Sequence, residues 1–132
     1  MIDFVVNEND KGRGLYAKIK FSRGTRVLIL QGNYLPYPTK TSIQIGKKHI
    51  ESWEGGHVNH ACDPNTIVVT KRKSNAFKDR APLQIHCLEA VKDIEIGEEI
   101  TFDYETTEER MAEPFKCSCH GRLIDGYWGY LK

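Results

Sequence analysis

Short runs of apolar and polar residues alternate along the chain, and turn residues separate them. Residues 42–45 and 83–87 alternate with a period of two and residues 66–70 form a β-branched run, so each segment favours a strand. Shorter apolar runs predict further strands at residues 2–6, 15–17 and 27–30. No helical pattern lies between these strands. This disfavours a doubly wound parallel sheet, and the prediction is a mainly β fold.

Two segments depart from this strand pattern. Residues 33–41 contain Pro36 and Pro38 and are expected to be irregular. Residues 108–113 are good helix formers that end at Pro114, and they belong to an acidic stretch, residues 93–113, which holds half of the chain's 18 acidic residues. Two interpretations of this stretch stand equal, a solvated helix face and a surface that attracts a basic, lysine-bearing peptide.

Composition excludes several classes of protein. A chain of 132 residues is long enough for one domain, and its net charge of +1 argues against a general binder of polyanions. The basic run at residues 71–80 is interpreted as a solvated hairpin tip, and less readily as a nucleic-acid patch. No apolar run reaches the ~20 residues of a membrane span, and no secretory signal is recognised. Four cysteines are too few for a disulfide scaffold, which favours an intracellular protein, nuclear or cytoplasmic depending on its host.

The most distinctive chemistry lies in two segments. Residues 59–65 read Asn-His-Ala-Cys-Asp-Pro-Asn, a structured loop of short polar side chains. Residues 97–104 read Gly-Glu-Glu-Ile-Thr-Phe-Asp-Tyr, a turn followed by a half-buried strand that ends on Tyr104.

These motifs resemble the two signatures of the SET-domain family of protein-lysine methyltransferases, Asn-His-Ser-Cys-x-Pro-Asn and Gly-Glu-Glu-Leu-Thr-Phe-Asp-Tyr. Ala61 replaces the usual Ser, and Ile100 replaces the usual Leu. The resemblance implies a SET fold of several short sheets with a threaded C-terminal segment, a pseudoknot. It also divides the chain into a SET domain, residues 1–113, and a post-SET-like tail, residues 114–132, within one globular unit.

The resemblance implies S-adenosylmethionine as the cofactor. By itself the Gly-x-Gly at residues 12–14 would be interpreted as a hairpin turn, but in SET proteins such a segment wraps the methionine end of the cofactor. The residues that match the cofactor site are Gly12, Arg13, Gly14, Tyr16, Asn59, His60 and Trp128.

The resemblance also assigns the reacting end of the site. Tyr104 matches the catalytic tyrosine, and Phe102 matches the position that controls methylation degree, where phenylalanine leaves room for di- or trimethylation. Tyr127 and Tyr130 are expected at the substrate channel or the adenine, with core packing as an equal alternative.

The cysteines match a zinc site incompletely. Cys62, Cys117 and Cys119 match three of the four ligands of the family, but Ile124 stands where the fourth is expected. Chelation by His120 would be strained beside Cys119. Zinc is therefore a possible cofactor with an incomplete ligand set, and a Cys-x-Cys held by packing is the alternative. His86 and Cys87 are interpreted as packing residues.

The resulting hypothesis is an S-adenosylmethionine-dependent protein-lysine N-methyltransferase that acts on a lysine-bearing protein or peptide. A histone tail is the commonest substrate of the family. The alternative is a catalytically silent SET module that binds such a peptide, although a silent module has no need of the intact glycines, Asn59, His60 and Tyr104. A zinc-dependent nucleic-acid binder is the weakest interpretation. No direct nucleic-acid or membrane partner is expected. The sequence does not indicate whether the protein is a monomer or an oligomer.

Overall fold

The computed structural model describes residues 3–10, 12–73, 83–117 and 119–126. These residues form strands joined by turns and two short 3₁₀ turns, at Gly55–His57 and Tyr104–Thr106. The strands are β1 (Phe4–Asn9), β2 (Gly12–Ala17), β3 (Arg26–Ile29), β4 (Gly32–Leu35), β5 (Ile43–Ile45), β6 (Lys48–Ser52), β7 (Asn59–His60), β8 (Thr66–Lys73), β9 (Leu83–Ala90), β10 (Thr101–Phe102), β11 (Phe115–Lys116) and β12 (Leu123–Ile124).

The strands form several small sheets, which confirms the predicted mainly β fold. Two three-stranded antiparallel sheets have the orders β3-β9-β8 and β4-β6-β5. Strands β1 and β2 form a hairpin, and β11 and β12 form another. The pair β7–β10 differs from these because its two strands run parallel.

One hydrophobic core holds these sheets together. Alternation along β2 places Leu15 and Ala17 in this core, where Ile94 and Ile100 are also fully buried. The β-branched and alternating runs predicted as strands correspond to β8 and β9. His86 and Cys87 are buried in β9, which agrees with their interpretation as packing residues.

The prediction of irregular chain at residues 33–41 is wrong at its start, where β4 forms. Strand β4 pairs with β6 in register from Gly32 opposite Ser52 to Leu35 opposite His49. Gly32 allows this pairing because a Cβ atom there would collide with the carbonyl oxygen of Glu51. Pairing with β6 therefore makes residues 32–35 a strand, although two prolines follow directly.

The helix considered for residues 108–113 does not form. Tertiary contacts replace helical hydrogen bonds in this segment. The amide of Met111 donates to the carbonyl of Asp125 at 3.1 Å, and the side chain of Glu108 is buried against the backbone of β5. The side chain of Glu108 therefore does not belong to a solvated helix face. Packing in this segment outweighs the helix propensity of its residues.

The C-terminal third of the chain crosses the earlier elements. Ile100 donates its amide to Leu15 at 2.8 Å, and Ala17 donates to Glu98 at 2.9 Å, so this segment lies along β2 before it enters β10. In the tail, Ile124 is fully buried. Among the described residues, no helix is long and apolar enough to cross a membrane.

Candidate active site

The parallel pair β7–β10 brings the two sequence motifs together. Asn59 lies opposite Thr101 and His60 opposite Phe102, and the amide of Ala61 donates to the carbonyl of Phe102 at 3.2 Å. Residues that are far apart in sequence therefore meet at one place, with the Asn-His loop on one side and the Phe-Asp-Tyr segment on the other.

Asn59 joins this pair to the Gly-x-Gly turn. Its Nδ2 donates to the carbonyl of Arg13 at 2.6 Å and to Oε2 of Glu99 at 2.7 Å. Gly14 lies directly against the same carboxylate, because a Cβ at this position would lie 2.5 Å from Glu99 Oε2 and 2.7 Å from Asn9 Nδ2. The second glycine of the turn is therefore required for close packing around Asn59.

The first glycine of the turn is required for a different reason. Gly12 has φ of 108°, in the region that residues with a Cβ rarely adopt. Tyr16 lies further along β2, and its hydroxyl accepts a hydrogen bond from Asn9 Nδ2 at 2.9 Å. The predicted cofactor-binding residues of β2 and β7 thus form one connected surface, and Arg13 contributes its backbone carbonyl to it.

Three aromatic rings and an imidazole form the other half of the site. The rings of Phe102 and Tyr104 have centroids 4.9 Å apart, and His60 meets Tyr104 edge-on at 5.4 Å. Phe115 of the tail contacts both His60 and Tyr104. Phe102 is fully buried, so the predicted switch position belongs to the wall of the site.

The hydroxyl of Tyr104 points at the backbone before β7. It donates to the carbonyl of Val58 at 2.5 Å. Burial raises the pKa of Tyr104, and the charges of Glu108 and Glu99 raise it further. The hydroxyl is therefore protonated at neutral pH and acts as a fixed donor, while its oxygen can still accept a hydrogen bond.

A narrow cavity opens beside Tyr104. Its volume is about 20 Å³, enough for one group of the size of a water molecule or an ammonium. The residues that line it are Thr39, Lys40, Thr41, Ser42, Ile43, Gly55, Gly56, Val58, Phe102, Tyr104, Glu108, Met111 and Ala112. The two residues expected at the reacting end, Phe102 and Tyr104, therefore line the same cavity.

His60, Cys62 and Cys117 form a His–Cys cluster whose ligand atoms lie within 4.8 Å of one another. The two thiols are 3.8 Å apart, which is the spacing of about 3.8 Å that two Zn–S bonds of ~2.3 Å give at a tetrahedral angle. The spacing alone would suit a metal.

The proton on His60 argues against a complete zinc site. Nδ1 of His60 accepts the amide hydrogen of Tyr104 at 3.1 Å and lies 3.6 Å from Asp103 Oδ1, while Nε2 faces Cys62 Sγ at 3.3 Å. The shorter amide contact favours the neutral tautomer that has its proton on Nε2. An Nε2 that holds a proton cannot bind a metal. Cys119 is exposed and outside the cluster. The described residues therefore offer no four-ligand set for zinc, and the predicted ligation by Cys119 stays a prediction.

A guanidinium lies at this cluster. Nη1 of Arg122 pairs with Glu105 Oε1 at 2.6 Å, while Nη2 lies 3.7 Å from Cys62 Sγ. Burial raises the pKa of Cys62 to about 11, and its contact with Cys117 adds to the shift. Although burial opposes it, the backbone N–H groups of the tail turn lower the pKa of Cys117 to about 6. The tail is therefore joined to the site by a charged network.

The predictions for the end of the tail lie outside the described residues. These are Tyr127, Trp128 and Tyr130, expected at the cofactor or the substrate channel. The structure places every other predicted site residue except Cys119 on the surfaces described above.

Comparison with protein families gives a match to the SET domain. The family model for the SET domain matches residues 12–105, which is more than half of the chain and includes both motifs. The chain belongs to the SET-domain family. The fold and the recognition of its motifs are thereby confirmed. No curated protein matches this SET domain in sequence.

Many solved structures share the fold of this SET domain, and two of them illustrate the likeness. KRYPTONITE, in a complex with mCHH DNA, an H3(1–15) peptide and SAH, is 19% identical with a TM-score of 0.67. The match covers 90% of this chain and 28% of the KRYPTONITE chain. A Plasmodium falciparum protein assigned as a histone methyltransferase is 14% identical, with a TM-score of 0.58, over 76% of this chain and 96% of the other. At these identities the likeness concerns the fold.

Sequence reasoning missed several residues of the site. Glu99 joins Asn59 to Gly14, and Arg122 with Glu105 joins the tail to Cys62. Glu108, which lines the cavity, was indistinguishable from its acidic neighbours in the sequence. Glu99 had a signal, because it belongs to the second motif; Glu108 and Arg122 had none.

Proposed function

We propose that this SET domain is an S-adenosylmethionine-dependent protein-lysine N-methyltransferase. The observation that carries the proposal is the position of Tyr104 and Phe102 in the narrow cavity, next to the strand that bears Asn59. A methyl transfer to an amine needs a channel for the lysine that meets a separate cofactor surface.

The cofactor surface fits a ligand that approaches the backbone closely. Gly12, Gly14 and Asn59 would hold the methionine end of S-adenosylmethionine, since the space beside Gly12 is open, Gly14 lets Glu99 pack against Asn59, and Asn59 fixes the carbonyl of Arg13. When bound, the cofactor supplies a methyl group on a positively charged sulfur. The residues of the chain must position the lysine amine and exclude water.

Those residues position the amine and exclude water. The cavity admits one ammonium-sized group, and Phe102, Ile43 and Val58 form an apolar part of its wall. The hydroxyl oxygen of Tyr104, fixed by its bond to Val58, can accept a hydrogen from the amine and so aim its lone pair. Alignment of two reactants at short distance is worth ~7–11 kcal/mol of the barrier.

The substrate proposed is a lysine-bearing peptide that binds as an added strand. The KRYPTONITE structure includes an H3(1–15) peptide, which makes a histone tail the first substrate to test. The half-buried and exposed carboxylates after residue 104, such as Glu109 and Glu113, would attract a basic peptide. Phe102 at the cavity wall supports di- or trimethylation as the product.

Transfer of a labelled methyl group from S-adenosylmethionine to a histone mixture tests the proposal. We expect product with the parent protein and a loss of roughly 10²-fold or more with Tyr104→Phe, the size seen when one fixed polar group of a site is removed. Tyr37→Phe is the matched control, because Tyr37 is 57% exposed and is not among the residues that line the cavity.

Two results would contradict the proposal. If the parent protein binds S-adenosylmethionine and a lysine peptide without turnover on any histone, a peptide-binding module is the better description. If Tyr104→Phe transfers methyl as fast as Tyr37→Phe does, the cavity beside Tyr104 is not where the reaction occurs.

A further inference from the structure

The cavity beside Tyr104 contains a buried carboxylate. Glu108 is only 4% exposed and lines this cavity together with Phe102 and Tyr104. A glutamate is rarely buried to this extent without a charged partner, because removal of its charge from water is costly. The position therefore demands an explanation beyond packing.

Only one carboxylate oxygen of Glu108 accepts hydrogen bonds from the described residues. Oε2 accepts the amide of Gln44 at 2.9 Å and the hydroxyl of Thr107 at 2.6 Å. Oε1 accepts no hydrogen bond from the described residues, and it is not among their fully enclosed, unsatisfied atoms. One oxygen thus anchors the side chain, and the other has access to open space.

No cation of the described chain neutralises Glu108. The ion pairs that the described residues form involve other carboxylates. Lys40 lines the same cavity without pairing to Glu108. The other charged or titratable groups nearby are Tyr104, the adjacent Glu109, and His49, which lies opposite Gln44.

The electrostatics of this position suit a proton acceptor. Burial raises the pKa of Glu108, although the bonds from Thr107 and Gln44 oppose the shift. A carboxylate with a raised pKa holds a proton better near neutral pH than an exposed one does. Tyr104 cannot take this role, because its hydroxyl already donates to Val58 and its own pKa is raised.

We propose that Glu108 is the group that removes the proton from the substrate lysine in this cavity. The proposal rests on the methyltransferase function proposed above and adds a catalytic residue to it. Glu108 provides the one carboxylate among the described residues that line the cavity, and its Oε1, which accepts no hydrogen bond from them, would accept the proton of an ammonium in the cavity.

The proposed steps balance in charge and atoms. The lysine ammonium gives one proton to the Glu108 carboxylate, which leaves a neutral amine and a neutral carboxylic acid. The lone pair of the amine then forms a bond to the methyl carbon, the carbon–sulfur bond breaks, and its electron pair stays on sulfur. The product amine carries the positive charge, and Glu108 returns its proton to solvent after the product leaves.

The test is the pH dependence of methyl transfer by Glu108→Gln. Glutamine keeps an oxygen for the Gln44 and Thr107 bonds, so the fold is retained, but it cannot accept a proton. We expect methyl transfer near pH 7.5 to fall roughly 10²–10⁴-fold, the usual contribution of a general base. The deficit should shrink towards pH 10, where a lysine of pKa ~10.4 loses its proton unaided.

A second substrate gives an independent readout. A peptide in which thialysine replaces lysine carries a more acidic amine, so it should restore much of the activity of Glu108→Gln and change the parent protein little. Glu95→Gln is the matched control, because Glu95 is exposed, pairs with Lys20 at the surface and is absent from the cavity lining. Affinity for S-adenosylmethionine should be equal in all three proteins.

The outcomes separate this inference from the function on which it rests. If the parent transfers methyl and Glu108→Gln keeps its rate and pH profile, the role of Glu108 is refuted and the methyltransferase stands. An equal loss at every pH with no gain from thialysine would also refute it, since a structural role has that result. If the parent transfers no methyl to lysine, both proposals fall together. If Glu108→Gln does not fold, Glu108→Asp is tested in its place. Because Glu108→Asp retains a carboxylate, its methyl transfer should keep the pH dependence of the parent protein near neutral pH.

Discussion

Asn65 is the residue whose removal should most directly separate the two motifs of the site. This buried side chain lies at the end of the Asn-His loop and bonds to the strand that leads into Tyr104. Its Oδ1 accepts the amide of Thr101 at 2.9 Å, and its Nδ2 donates to the carbonyl of Glu99 at 2.8 Å. Asn65→Ala removes both bonds at once.

The cost follows from the two backbone groups left without partners. The Thr101 amide is in a buried segment, and a buried donor without an acceptor costs roughly 1–3 kcal/mol. The Glu99 carbonyl is only partly buried, so water can replace some of the lost bond, and its loss costs about 1 kcal/mol. We therefore expect Asn65→Ala to lower the free energy of unfolding by about 2–4 kcal/mol, a large share of the ~5–15 kcal/mol of a typical domain.

Urea unfolding measures this change as a lower midpoint at an unchanged slope. The ionised form of Asn65→Asp keeps the acceptor for Thr101 but has no donor for the Glu99 carbonyl, whereas the neutral acid at low pH also has an O–H that can donate. Asn65→Asp should therefore be less destabilised than Asn65→Ala at low pH. Asn33→Ala, at an exposed position of β4, is the control and should change the midpoint little. A loss below ~0.5 kcal/mol for Asn65→Ala would refute the reasoning, because water would then have replaced both bonds.

Three further outcomes are expected. Mass spectrometry should find di- or trimethyl lysine with the parent protein and a shift towards monomethyl lysine with Phe102→Tyr; a parent that makes only monomethyl product would contradict this. Purified protein should hold much less than one zinc per chain by elemental analysis, and a chelator should leave its melting temperature unchanged; a full equivalent whose removal lowers that temperature would overturn our view of the His–Cys cluster. Arg122→Met should destabilise the protein by roughly 1 kcal/mol in urea unfolding, since the guanidinium that pairs with Glu105 is part-exposed and its charge is screened. An unchanged free energy of unfolding, or a loss above ~3 kcal/mol, would contradict our assignment of this ion pair as a partly exposed and screened one.

Alternation predicted the strands that have one buried face. It found β5, β8 and β9 because each has several β-branched or apolar residues at the right period. It did not find β4, whose Gly32 and exposed Asn33 and Tyr34 carry no such signal. That strand exists because β6 pairs with it, which is a tertiary cause.

The helix considered after Tyr104 was wrong for a related reason. Local propensity favoured it, but the burial of Glu108 and the bond from Met111 to Asp125 determine the path of the chain there. Propensities of a few tenths of a kcal/mol per residue cannot resist such contacts.

The candidate site was predicted through its motifs, and its supporting residues were not. The resemblance identified Asn59, His60, Phe102 and Tyr104, and the structure places them together across β7 and β10. Glu108 depends on a burial that composition does not reveal, since eight other carboxylates share its stretch of sequence. The tautomer of His60 depends on one backbone amide from a distant segment.

The parallel pairing of β7 with β10 has a consequence for the order in which the molecule assembles. Val58 and Tyr104 are 46 residues apart, and the β8–β9 hairpin is formed from the chain between them. Contacts across such a separation close slowly, whereas a hairpin forms early because its strands are neighbours. We expect cofactor affinity to return after the sheet signal in a refolding experiment, and simultaneous recovery would contradict this order. A nascent or partly refolded chain would then contain most of its β structure while it was still unable to modify a substrate.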